Sequence, residues 1–207
     1  MNKLDKLRTF VTAMTRLIEQ AGSDEAQILR DGQAAMKQLV AEDDWLPEAF
    51  TLPDPEYYQQ YLLYCDPLER LSVVSFVWGT GQATPVHNHT VWGVIGMLRG
   101  SETCVNYNLP NAGSPMTETG VETLSPGEVT VVSPTVGDIH KVGNALEDRP
   151  SISIHAYGAN IGAVSRHVFV TESGERKPFV SGYANTELPN IWDRSAEVRA
   201  TLSNGTS

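Results

Sequence analysis

From about residue 57 onward the chain breaks into short β-rich runs, at 71–78, 91–98, 102–107, 128–132, 151–157 and 167–171, with clusters of Gly, Pro and Asn between them. Short strands at close spacing, separated by turn signals, predict an all-β sandwich or barrel. The first forty residues have a different texture. Leu4, Leu7, Phe10, Val11, Met14, Leu17 and Ile18 recur at three- and four-residue steps, one apolar stripe of an amphipathic helix. A break at 21–24 supplies Ser23 or Asp24 as N-cap of a second helix, which runs through Ile28, Leu29, Ala35, Met36 and Leu39. Pro47, Pro53 and Pro55 then end helical territory. The expected organisation is one domain over 1–207: N-terminal helices at 1–45, a barrel at 57–182 and an extension at 183–207 that frays over 204–207.

A chain of 207 residues with 41% hydrophobic and 19% charged residues can bury a sizeable core unaided. A metal site in it would therefore be working rather than stapling the fold. The formal net charge of −10 argues against nucleic acid and anionic membrane surfaces as partners, since binding them relies on Lys and Arg. Cys65 and Cys104 form no CxxC pair, so neither a disulfide framework nor a thiolate zinc site is available, and both read as buried packing. The N-terminus is charged and amphipathic with no apolar signal core, and no apolar stretch approaches the roughly 20 residues that span a bilayer. The expectation is a soluble cytoplasmic protein.

All five histidines follow residue 86. His87 and His89 are two apart, so on an extended segment both imidazoles point the same way, and His140 on another strand could complete a set of three. Gly81, His87, His89, Gly93 and Gly100 follow the first sequence motif of the cupin barrels with one change. Gly127, Pro134, Gly137, His140 and Asn144 resemble the second. The fold class expected is mainly β, a cupin barrel of the jelly-roll type with an N-terminal helical segment. The change is Gly93, where that first motif has a glutamate ligand; the set becomes three neutral imidazoles. Fe(II) in such a site keeps its full charge and three open positions, an environment that favours a thiolate. Zinc suits three imidazoles and an open position equally, and the spacing leaves the metal undecided.

Ser153, His155 and Tyr157 repeat with period two, which puts them on one strand face opposite Ile152, Ile154 and Ala156. Polar side chains on an otherwise apolar strand are costly unless they line a wet cavity or bond to each other. A chain from serine hydroxyl to imidazole to phenol satisfies this and positions the Tyr157 hydroxyl. A serine hydrolase does not fit, because residues two apart on a strand are poorly placed for attack and no nucleophile elbow is present.

Over nearly its whole length the sequence resembles the bacterial thiol dioxygenases, cupins related to cysteine dioxygenase. Segments 85–93 and 151–157 are most similar to the 3-mercaptopropionate dioxygenase branch. The resemblance implies Fe(II) as cofactor, with a small thiol carboxylate and O2 as partners, both oxygen atoms being added to sulfur to give a sulfinate. It implies His87, His89 and His140 as iron ligands and Ser153, His155 and Tyr157 as an outer-sphere triad. Gly93 matches the cysteine that is crosslinked to tyrosine in the animal cysteine enzyme, so Tyr157 should be unmodified. Gln60 stands where cysteine-specific enzymes carry an arginine that grips the substrate carboxylate; it can donate a neutral hydrogen bond but form no ion pair, so the resemblance implies a carboxylate held jointly by Gln60, Tyr157 and, where it reaches the substrate, Arg166. Arg166 matches an arginine of the mercaptopropionate branch, either holding substrate directly or pairing with a carboxylate and shaping the pocket. The expected reaction is 3-mercaptopropionate to 3-sulfinopropionate. The alternatives are cysteine to its sulfinate, a non-catalytic ligand-binding cupin, and a zinc or manganese isomerase or hydrolase.

Overall fold

A computed structural model describes residues 4–109 and 113–193; the expected frayed end at 204–207 lies outside them. Among the described residues, two α-helices, α1 (Asp5–Ala21) and α2 (Glu25–Leu39), precede eleven strands. These are β1 (Gln59–Cys65), β2 (Ser72–Trp78), β3 (Val86–His87), β4 (Gly93–Arg99), β5 (Glu102–Tyr107), β6 (Glu118–Leu124), β7 (Val129–Val132), β8 (His140–Asn144), β9 (Ser151–Tyr157), β10 (Arg166–Phe169) and β11 (Arg176–Phe179). They form two antiparallel sheets, in the orders β1-β2-β9-β4-β7 and β11-β10-β3-β8-β5-β6. From β2 onward the chain passes back and forth between the sheets, the topology of a jelly-roll barrel.

The predicted apolar stripe of α1 is its buried face, Leu7, Phe10, Val11 and Met14. Asp24 is the N-cap of α2: its carboxylate accepts the Gln27 N–H at 3.0 Å, a bond worth about 1 kcal/mol. Helix α2 lies directly on the backbone of β4. A Cβ at Gly96 would sit 2.6 Å from Met36 Cγ and 2.9 Å from Val40 Cγ1, so only glycine permits this approach.

The helices cover the outer face of the five-stranded sheet, which is why β2, β4 and β9 read as near-continuous apolar runs. Val73, Val77, Val94, Leu98, Ile152, Ile154 and Ala156 point at the helices. Val74, Phe76, Trp78, Ile95 and Tyr157 point into the barrel. Each aliphatic side chain buried in this way contributes about 1.5–3 kcal/mol relative to leaving it exposed. The strands absent from the six runs read from the sequence are β1, β3, β6, β8 and β11: β3 has two residues, β6 and β11 are largely exposed, and β1 and β8 mix buried positions with half-buried or exposed ones, β8 being marked only by His140.

Beyond β11 the chain returns along β1. Ala184 donates its N–H to Gln60 O at 2.8 Å, and the Asn185 side chain brackets Leu62 by accepting its N–H at 2.8 Å and donating to its carbonyl at 3.0 Å. Arg8 of α1 donates to Ile191 O at 2.8 Å, tying this segment to the helices. Among the described residues, no helix is long and apolar enough to cross a membrane.

Candidate metal centre

His87 on β3 and His140 on β8 are direct register partners, and His89 follows in the turn after β3. The three rings close into a triangle with centroid separations of 4.8, 4.9 and 4.8 Å, and their ligand nitrogens all lie within 4.8 Å of one another. All three side chains are buried. Burial, followed by the neighbouring imidazoles, holds His87 and His140 well below the ordinary histidine range, so both are neutral and able to donate a lone pair.

Each ring engages a partner through Nδ1. His87 Nδ1 meets Pro85 O at 3.1 Å, and His89 Nδ1 meets Asp138 Oδ1 at 3.2 Å and Asp138 O at 3.3 Å. His140 Nδ1 meets Cys104 Sγ at 3.2 Å. The oxygen acceptors at His87 and His89 fix the tautomer that frees Nε2 for a metal, the usual support for ligating histidines, while the Cys104 thiol positions the His140 ring from its Nδ1 side. A divalent transition metal that accepts imidazole fits this donor set.

Asp138 does more than orient a ring. Its carboxylate accepts the backbone N–H groups of His89 at 2.9 Å and Thr90 at 3.0 Å. Thr90 has φ +62°, a conformation that a β-branched residue avoids, and these bonds hold it there. The sequence carried a faint signal for Asp138, which lies two residues before His140. Cys104, by contrast, was expected only to pack. Burial pushes its thiol up to about 12, so it meets His140 as a neutral thiol.

On β9 the polar triad bonds in the order expected. Ser153 Oγ lies 2.7 Å from His155 Nε2, and His155 Nδ1 lies 2.8 Å from the Tyr157 hydroxyl. The Tyr157 ring stacks on His89 with centroids 5.5 Å apart. Burial pushes the phenol's proton affinity up and His155's well down, so the pair sits as neutral phenol and neutral imidazole.

His155, Tyr157 and the three-histidine set line a cavity of about 150 Å³. Tyr58, Phe76, Trp78, Val142, Val168 and Phe179 form its apolar wall, and Gln60 and Arg166 add polar groups. An apolar cavity of about 150 Å³ accommodates benzene, so this one suits a ligand of about six heavy atoms. Arg166 is buried, donates from Nη2 to Ser181 Oγ at 2.8 Å and lies 4.7 Å above the Phe179 ring. Its Nε has no partner, and among the described residues no carboxylate pairs with it. Gln60 turns its amide nitrogen to Gly182 O at 2.9 Å and Ser181 Oγ at 3.2 Å. Ser181 and Tyr58, neither singled out from the sequence, thus join the two residues that were.

Gly93 is opposite Tyr157 in register, and a Cβ there would lie 2.8 Å from the Tyr157 ring and 2.9 Å from Val132 Cγ2. Gly93→Ala should therefore displace the ring and weaken the His155–Tyr157 bond. We expect a loss of about 1–3 kcal/mol in stability, read as a lower urea midpoint at constant m. An unchanged midpoint would mean that the ring shifts freely.

Fold and site together define a jelly-roll barrel with a three-histidine site suited to a metal ion. The cysteine dioxygenase type I family matches residues 5–168, and the chain belongs to that family. Among solved structures it is similar to an uncharacterized conserved protein with a double-stranded β-helix domain from Klebsiella pneumoniae, at 17% identity over 56% of this chain and 84% of that one, TM-score 0.44. It is also similar to a cupin 2 conserved barrel domain protein from Salinispora arenicola, at 16% identity over 56% of this chain and 86% of that one, TM-score 0.40.

Proposed function

We propose that this protein is a non-haem Fe(II) thiol dioxygenase that converts 3-mercaptopropionate to 3-sulfinopropionate. The observation that carries the reading is Arg166, a buried cation with an unpartnered Nε on the wall of the cavity that the three imidazoles also line. A buried charge without a partner is costly, and a substrate carboxylate offsets that cost. Fe(II) held by His87, His89 and His140 would supply open positions where the thiol sulfur and O2 meet.

In this reading the chain's own residues do the positioning. Arg166 binds the carboxylate, with its guanidinium held by Ser181 and Phe179. Gln60, on the same wall, fixes Ser181, and Tyr157 donates its hydroxyl proton to the substrate. The apolar wall excludes bulk water from the reacting groups. Among the described residues no acidic side chain lines the cavity, which favours 3-mercaptopropionate over cysteine: the cysteine ammonium would meet a guanidinium and neutral groups.

The test is to load the protein anaerobically with Fe(II) and follow O2 uptake and sulfinate formation with 3-mercaptopropionate, cysteine and cysteamine. We expect kcat/KM for 3-mercaptopropionate to exceed that for cysteine by about tenfold or more, the consequence of one unpaired buried charge. Equal values would refute the substrate, and binding without O2 uptake would indicate a ligand-binding protein.

A further inference from the structure

Glu102, at the start of β5, is almost fully buried, with 2% of its surface exposed, and it lines neither the histidine triangle nor the cavity wall. Its carboxyl group meets Ser153, Ser151 (Oγ to Oε1, 3.4 Å) and the Trp78 indole. Trp78 also points its Nε1–H at Ser153 Oγ, 3.5 Å away. The Ser153–His155–Tyr157 chain therefore continues past the serine and ends on a carboxyl group inside the barrel.

We propose that Glu102 stores the proton that the Tyr157 hydroxyl presents to the cavity, and that the intervening Ser153 and His155 relay it. With Glu102 protonated, each group donates to the next: Glu102 O–H to Ser153 Oγ, Ser153 O–H to His155 Nε2, and His155 Nδ1–H to the Tyr157 oxygen. The phenol proton is then free to point into the cavity. When Glu102 ionises, every proton advances one place. Ser153 receives the proton of Glu102, His155 Nε2 receives that of Ser153, and the Tyr157 oxygen receives that of Nδ1. The original phenol proton leaves through the cavity. The chain now runs in the opposite sense, and the Tyr157 hydroxyl donates to His155 Nδ1 instead of to substrate. One proton is lost overall, and the relay needs no rearrangement of the heavy atoms.

The surroundings set where this happens. Glu102 is in register with Leu124 on β6 and Asn144 on β8. From β9 it faces Ser151 and Ser153, with His155 and Tyr157 further along; from β2 it faces Trp78; and Cys104 lies two residues on along β5. The titratable groups among these are Cys104, His155 and Tyr157, and none of them is a cation that would favour the carboxylate. Burial therefore dominates, and the carboxyl is pushed up to about 8.

The role in turnover rests on the oxygenase reading above, so the test carries one arm that does not. In metal-free and Fe(II)-loaded protein, infrared difference spectra are recorded on either side of about pH 8. The carbonyl band of a protonated carboxyl should vanish as pH rises, and a tyrosine C–O band should shift with the same midpoint. E102Q should lose both signals and Y157F only the second; S153A should keep the carboxyl signal but uncouple it from the tyrosine. In the kinetic arm, wild-type kcat with 3-mercaptopropionate should fall above that midpoint, and E102Q should lack this alkaline limb, because an amide cannot ionise. A tyrosine band indifferent to the carboxyl titration, or an alkaline limb that persists in E102Q, would overturn the proposal. If no thiol supports O2 uptake, the oxygenase reading fails, while the infrared arm still decides the relay.

Discussion

His140→Ala is expected to leave a folded protein that retains no iron and oxidises 3-mercaptopropionate no faster than free Fe(II) does. The three imidazoles are packed ring against ring, two of them are held neutral, and each already has an Nδ1 partner. Truncating one leaves two donors, too few to hold a divalent ion against water. The fold should survive, since the barrel rests on two apolar clusters in which these rings take no part. The contrast appears in thermal unfolding under anaerobic conditions. Metal at about 100 times its Kd stabilises the wild type by about 2.7 kcal/mol, which raises Tm by roughly 5–10 °C for a chain of this size. The variant's Tm should not respond to Fe(II). A variant that still binds one iron per chain would remove His140 from the ligand set.

Arg166→Met tests the carboxylate site and should separate stability from activity. Methionine keeps an apolar stem over Phe179 but carries no charge. A charge-assisted hydrogen bond in a buried site is worth about 1.5–3 kcal/mol, so kcat/KM for 3-mercaptopropionate should fall roughly 10- to 150-fold, mostly through KM. Cysteamine, which has no carboxylate, should show no comparable loss. The ligand-free variant should be at least as stable as the wild type, because an imperfectly partnered cation leaves the interior. A loss of stability with no selective loss for the carboxylate thiol would mean that Arg166 only supports the wall.

How far the sequence reveals this site depends on whether residues meet along one strand or across several. The Ser153, His155 and Tyr157 series falls on every second residue of β9, so strand periodicity alone aligns it, whereas His89 lies just beyond β3 and is brought beside His87 with its backbone N–H held by Asp138. The helices were equally legible, because their stripes face a single neighbouring layer. Contacts that depend on register between strands left no such trace. Cys104 reaches His140 because β5 pairs with β8, and Glu102 reaches Ser153 across the barrel interior. Neither relation has a sequence spacing that repeats. Strands β3 and β8, which carry two of the three histidines, are short and polar in pattern, so the histidines marked the strands rather than the reverse.

Ser181 joins Gln60 to Arg166, and Phe179 lies under the guanidinium, yet both stand beyond residue 168, where the family match ends. The anchoring of Arg166 is thus contributed in part by residues beyond the span matched by the family, Phe179 at the end of β11 and Ser181 just after it. Exchanging the segment after residue 168 for a relative's would change the anchoring of Arg166 while leaving His87, His89 and His140 intact. Two members of the family could in this way share one chemistry and select different thiols.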